Sequence, residues 1–260
     1  MPEFDYVILP HRARLDSTLK DLWDSGELLY FLVWRDLKVR YAQAVIGVGW
    51  AVLKPLLLMV VFVFVFGIFV RVPTGDLPYS VVVYTALLPW NLLATVIGAA
   101  APSLIVNAHL LTKIYFPRLI APLSASIAAF ADLLFSLPLL FILLLWFRIP
   151  ITGRILWLPL LFGMIFLLAV SIGLIFAALH VKYHDVGMLL PILLQVWMYA
   201  TPIIYPIELV PAKWLPLYGL NPLVAPIQAI RWALVDAATQ AEDAHGQQQM
   251  EAARARARRG

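Results

Sequence analysis

From Val81 to Val106 the chain carries no charged residue, and from Ile120 to Phe147 it carries one, Asp132. Crossing the roughly 30 Å hydrocarbon core of a bilayer takes about 20 apolar residues as a helix. Barrel strands would alternate polar and apolar residues, whereas these runs are continuous, so the crossings are helices. The spacing predicts spans near 46–70, 80–106, 120–147, 156–179 and 188–206. A sixth apolar stretch, 214–235, is interrupted by Pro216, Asn221, Pro222, Pro226 and Arg231 and makes a poor straight helix. Composition agrees: 63% of residues are hydrophobic and 13% charged, against about 45–50% and 25% in soluble domains.

The expected fold is therefore all-α: a polytopic helical membrane protein with an N-terminal interfacial amphipathic helix, five clear spans, and a Pro-rich re-entrant segment or poor sixth span. Residues 1–45 would form the cytoplasmic N-terminus, 46–235 the transmembrane domain, and 236–260 a polar, disordered tail. The first 50 residues are mixed and charged, without the pattern of a cleavable signal peptide. The absence of cysteine excludes disulfides, thiol catalysis and thiolate metal sites. A net charge of +4 is ordinary for a membrane protein, and no nucleic-acid binding is read into it.

Basic residues favour the cytoplasmic side of short loops. With the N-terminus inside, the inner segments hold Arg12, Arg14, Lys20, Arg35, Lys38, Arg40, Lys54, Lys113, Arg118 and Lys182. The outer loops hold only Arg71, Arg148, Arg154 and Lys213. That balance places the N-terminus and the segment 107–119, NAHLLTKIYFPRL, in the cytoplasm. Within 15–41, Leu15, Leu19, Leu22, Leu29, Val33 and Leu37 recur at helical steps, while Asp16, Lys20, Asp24, Glu27, Asp36 and Lys38 occupy much of the rest. This predicts an amphipathic helix on the inner membrane surface, with Trp23 and Trp34 at the interface. A helix packed on a soluble partner is the alternative.

Catalytic signatures are sparse. No phosphate-binding loop of the G-x-x-x-x-G-K-[ST] type occurs, so nucleotide phosphates are not held by that motif here. His180, His184 and Asp185 lie close in sequence, but a metal would need a third ligand and a supporting shell. Asp132 is the only carboxylate deep inside a span; it is either a relay on a transport path or a polar contact within the bundle or a dimer. The segment 201–228 carries prolines at 202, 206, 211, 216, 222 and 226, and such backbone survives at membrane depth only inside protein or beside a cavity. A re-entrant pair of short helices on the outer side fits that constraint, as does a simple outer loop. Trp90, Trp197 and Tyr199 are candidates to line a sugar-conducting path, with Asp132, Tyr205 and Trp214 as further channel or gate candidates.

Three stretches, WRDLKVRYAQAVIGVGWAVLKPL (34–56), LLTKIYFPRLIAPLSA (110–125) and KYHDVGMLLPILLQVWMYATPIIYP running on to NPL (182–223), occur in that order. Together they resemble the permease subunit of type-2 ABC exporters that move polysaccharides such as O-antigen, capsule and teichoic acid. The resemblance implies a homodimer of permease chains driven by two copies of a separate ABC ATPase, which would hold ATP and magnesium. This chain would then need no cofactor and would not itself be an enzyme. Its partners would be membrane lipid and a lipid-linked glycan substrate. The resemblance further implies that Lys113, Ile114, Tyr115, Phe116, Pro117 and Arg118 form a coupling element docking into the ATPase. His184 and Asp185 would make a smaller contact nearby. The family pattern ends in a sixth span, whereas 236–260 is too polar to cross; either 214–235 is the last crossing or that span is absent. Small-lipid or drug permeases, an ion-coupled carrier using Asp132, and a membrane transferase are the competing readings.

Overall fold

The computed structural model describes residues 22–42, 47–74, 77–113, 116–205 and 207–236. Among them every regular element is helical. Helix α1 (Gly26–Ala42) precedes the first crossing, α2 (Gly49–Phe62), which continues as a π-helical turn over Val63–Phe69. The second crossing is α3 (Tyr79–Ala100), continued past a break at Ala101–Pro102 by the short α4 (Ser103–Val106). Pro102 has no amide hydrogen to continue the ladder, which accounts for the break. Next come α5 (Ala108–Lys113), the crossing α6 (Ile120–Trp146) and the crossing α7 (Leu158–Lys182), entered through a 3₁₀ turn at Gly153–Trp157. The described residues close with α8 (Val186–Tyr199), α9 (Leu215–Gly219) and α10 (Val224–Arg231), followed by a π-helical turn at Trp232–Asp236.

Among the described residues, four helical segments are long and apolar enough to cross a membrane: Gly49–Phe69, Tyr79–Val106, Ile120–Trp146 and Gly153–Lys182. They match the first four predicted spans within a few residues. The fifth stretch stops short of its predicted limit at 206. As α8 it has 14 residues, about 21 Å of helix, and irregular backbone carries the chain on from Thr201, where Pro202 prevents continuation.

Helix α3 is the axis of the bundle. In the most apolar stretch of its span 78% of residues are buried, against 17% in the α2 span and 33% in each of the other two. Val81, Val83, Tyr84, Leu87, Leu93 and Ile97 are fully buried, with α6 and α7 as the main neighbours of the helix. In lipid, helices associate through close packing of small residues rather than by escape from water. Gly173 of α7 provides that approach: a Cβ built there would lie 2.8 Å from the Ala100 Cβ and 3.7 Å from the Ile97 Cα.

Helix α1 packs as an amphipathic helix. Its buried face centres on Leu32, with Leu22 and Leu29 of the predicted apolar face packed beside it. Arg35, Asp36 and Arg40 also turn towards the bundle, while Tyr30, Phe31 and Trp34 face outwards. Asp36, on the polar side of the predicted helix, accepts from Ser124 of α6. The polar side chains can face inwards because α6 and the 103–107 turn offer them hydrogen-bond partners.

Candidate functional site

The structure gathers the candidate residues at two opposite ends of the bundle and separates Asp132 from both groups.

At one end the turn after α4 packs under α1. Asn107 is buried; its Nδ2 donates to the Ser103 carbonyl at 2.8 Å, and its Oδ1 accepts from Arg35 at 2.7 Å. Arg35 also pairs with Asp36 at 2.7 Å, and Asp36 accepts from Ser124 Oγ at 3.1 Å. This chain of bonds ties α1 to the loop and to α6 together. Beside it Phe116, Ile120 and Leu32 form a small separate core, flanked by Leu28, Leu29, Leu110 and Leu111. Phe116 is therefore an anchor of the loop, 7% exposed, not a projecting side chain. Lys113 and Arg118 are exposed and Pro117 is half-buried. Ile114 and Tyr115 lie outside the described residues.

His184 and Asp185 are exposed in the tight turn between α7 and α8. They belong to the same end, because His180 one turn earlier places Nδ1 3.3 Å from the Ala101 carbonyl at the end of α3. The same ring closes on the start of α8: a Cβ at Gly187 would meet His180 Nε2 at 2.7 Å.

At the other end the proline-rich segment folds back on itself. Thr201–Tyr205 leads outwards, where Tyr79 at the start of α3 donates to the Ile204 carbonyl at 2.6 Å. The chain then re-enters through α9 to Asn221. There Asn221 Oδ1 accepts from Trp197 Nε1 at 3.1 Å, and its Nδ2 donates to Thr201 Oγ1 at 2.9 Å. Helix α10 runs back out, where Arg231 donates to the Ile203 carbonyl at 3.2 Å and the Trp232 ring stacks on the Arg154 guanidinium at 4.7 Å. Residues 214–236 thus return to the end they came from. They form a hairpin whose limbs both return to the end of the bundle that holds Tyr79 and Arg154.

Trp197, Tyr205 and Trp214 come together, with Tyr218, around a cavity of about 880 Å³. Trp90 is buried behind them, its ring edge-on to Trp197 at 6.1 Å. Tyr199 is 52% exposed, and its carbonyl accepts from the Tyr205 hydroxyl at 3.4 Å. Tyr205 and Tyr218 also share a hydroxyl–hydroxyl hydrogen bond. A cavity of this volume with aromatic walls and a few polar groups suits an amphipathic ligand whose apolar ring faces can lie on indole and phenol.

Asp132 lies elsewhere, on α6 beneath α1. It accepts from Arg40 at 2.6 Å and from the Tyr41 hydroxyl. It is a paired acid within the bundle, the second of the two roles open to it in the sequence. Arg40, Tyr41, Asn221 and Tyr218 were not among the candidate residues. A lone acid in a span signals that some partner must exist, but nothing in the spacing says that it comes from the helix before the first crossing.

The family model for the ABC-2 type transporter matches residues 27–235. The chain belongs to the ABC-2 type transporter family. Relatives cover nearly the same region. O-antigen export system permease protein RfbA of Myxococcus xanthus is 30% identical over 210 residues, 80% of each chain. A Klebsiella pneumoniae protein of the same name is 29% identical over 208 residues, 79% of each. Polysialic acid transport protein KpsM of Escherichia coli is 24% identical over 207 residues, 77% of this chain and 78% of that one. As an ABC-2 type transporter the chain is a multi-pass transport protein, and the family implies pairing with an ABC ATPase.

Proposed function

We propose that this chain is the channel-forming permease of an ATP-driven exporter that carries lipid-linked polysaccharide, of O-antigen, capsule or teichoic acid type, across the bacterial inner membrane. The observation that carries the reading is the convergence of relatives named for O-antigen and polysialic acid transport on the region that holds the aromatic cavity. Two copies of the chain form the conduit, and two copies of an ABC ATPase hold ATP and magnesium and supply the work. The N-terminus is cytoplasmic, as the excess of basic residues at the α1 end supports. Lys113, Pro117, Arg118, His184 and Asp185 then form the ATPase-facing surface, with Ile114, Tyr115 and the anchor Phe116 between them. The aromatic hairpin lies on the outer side, where its ring faces bear on the leaving glycan.

A carrier driven by protons is the poorer reading, since Asp132 is held by a guanidinium and a phenol. Small-lipid or drug export remains the nearest alternative. The test is co-expression of the chain with a candidate ABC ATPase from the same genome, followed by capture and by assay of surface glycan in a permease-deficient strain. Capture of the ATPase with ATP-dependent appearance of glycan is the expected result. Capture with lipid or drug efflux and no glycan would move the assignment to that class, and failure to capture any ATPase would overturn it.

A further inference from the structure

A second cavity, of about 280 Å³, lies where α1, α2, α3 and α6 meet and shares no lining residue with the aromatic cavity. Its polar lining is Arg40, Tyr41, Lys54, Asn91, Thr95 and Asp132, with Trp50 at the rim. Ser136 frames its floor, donating to the Ala51 carbonyl of α2 at 2.8 Å and so holding α2 to α6.

Three observations define what this cavity would accept. First, its walls carry two cations, Arg40 and Lys54, against one carboxylate, leaving one positive charge in excess. Asp132 already takes Arg40, whereas Lys54 has no described ion pair or hydrogen bond. Second, the Asn91 Nδ2 is buried without a partner. A buried donor left unmade costs about 1–3 kcal/mol, so a site that keeps one gains by receiving an acceptor. Third, the rim opens on an exposed apolar surface. Trp50 is 50% exposed, and Leu57, Val60, Val61 and Phe64 continue the open apolar face of α2. Lysine near a helix end turns its ammonium to the interface while its stem stays in lipid.

We infer that this cavity is a binding site for the phosphodiester headgroup of an anionic glycerophospholipid. The phosphate oxygens accept from the Lys54 ammonium and the Asn91 amide, Trp50 flanks the glycerol, and the acyl chains lie along α2. One phosphodiester balances the single excess charge. The volume is at the low end for a ligand pocket, about 300 Å³, which suits a headgroup and excludes a glycan chain. The site is therefore separate from the path proposed for the transported polymer and does not depend on that assignment.

The test is native mass spectrometry of the purified full-length chain in micelles doped with phosphatidylglycerol or phosphatidylcholine. The wild type is expected to retain one phosphatidylglycerol per chain and no phosphatidylcholine. Lys54→Gln and Asn91→Leu are each expected to weaken retention about tenfold, the equivalent of one charge-assisted hydrogen bond. Lys213→Gln, at the opposite end, is expected to retain it fully. Lys54→Gln alters an exposed side chain, so its fold is kept if Asn91→Leu fails to express. Equal retention of the two lipids, or undiminished retention by Lys54→Gln, would overturn the proposal. Displacement of phosphatidylglycerol by an equimolar polyprenyl pyrophosphate would also overturn it, assigning the cavity to a carrier lipid instead.

Discussion

Arg40 and Asp132 stand 92 positions apart in the chain and 2.6 Å apart in space. Both side chains are only about one quarter exposed, at 27% and 25%. The pair is the bolt that fixes α1 to the middle of α6. Removing the acid as Asp132→Ala leaves a guanidinium and a phenol without their acceptor. We expect a loss of about 1–3 kcal/mol, read as a lower thermal midpoint of the purified chain. In a double-mutant cycle Arg40→Ala should cost much less in the Asp132→Ala background. Additive losses would show that the two groups do not interact.

Tyr41 gives the same joint a dependence on pH. Burial first, then the hydrogen bond and charge of Asp132, push its phenol above the ordinary value, with Arg40 pulling weakly the other way. The folded chain therefore keeps a proton that the unfolded chain releases near pH 10. The stability this contributes is fully present below about pH 10 and is lost as pH rises beyond it. Tyr41→Phe should flatten the alkaline limb of a melting-temperature profile; an unchanged limb would exclude Tyr41 as its source.

The α3–α7 contact is set by the lack of a side chain at Gly173. Gly173→Ala drives a methyl against Ala100, which has no rotamer to yield, and overpacking of this kind costs about 1–3 kcal/mol. Gly163→Ala on the same helix meets nothing within 4 Å and should be neutral or slightly stabilising. Thermal melts of the two variants side by side check the contrast.

In the loop under α1, two neighbours should fail differently. Phe116→Ala empties the small core with Leu32 and Ile120; large-to-small changes of this kind cost about 3–5 kcal/mol when fully buried, so folded yield should fall. Arg118→Glu is exposed and should leave the melt unchanged while weakening capture of the ATPase. Normal capture and normal glycan output by Arg118→Glu would remove it from the docking surface.

Asn221 is the joint of the proline-rich hairpin. Asn221→Leu removes the acceptor for Trp197 and the donor to Thr201, freeing the indole to rotate against Trp90. Glycan export should drop by about tenfold or more, since a misplaced contact group costs far more than its size, while membrane insertion stays normal. Trp197→Phe, which keeps the apolar contact and loses the same bond, should resemble it. Export unaffected in both would mean that the ring is only packing.

How far the sequence carried differs by kind of interaction. The crossings were legible because twenty apolar residues in a row have one physical use, and the four long helices lie within a few residues of their predicted limits. The hairpin was legible as an irregularity, from prolines that forbid a helix, but its path depends on Asn221, Tyr79 and Arg231, whose partners lie up to 125 residues away. The period of α1 sorted polar from apolar residues, and Leu22 and Leu29 do flank the core of Leu32, Phe116 and Ile120. It does not reveal that Asn107, Ser124 and Asp132 wait inside as partners for Arg35, Asp36 and Arg40.

The anchoring of the proline-rich hairpin also bears on how the molecule is made. Tyr79 and Trp90 are synthesised early, yet their partners Ile204 and Trp197 emerge more than a hundred residues later. Arg231, later still, is enclosed only once the Ile203 carbonyl and the groove between α3 and α7 are in place to receive it. The four long helices must accordingly be delivered to the bilayer first, with α3 incompletely covered until residues 201–236 leave the ribosome. Assembly of this transporter is a closing reaction at its C-terminal side, and a nascent chain stalled before Thr201 should be found inserted but protease-sensitive around Tyr79.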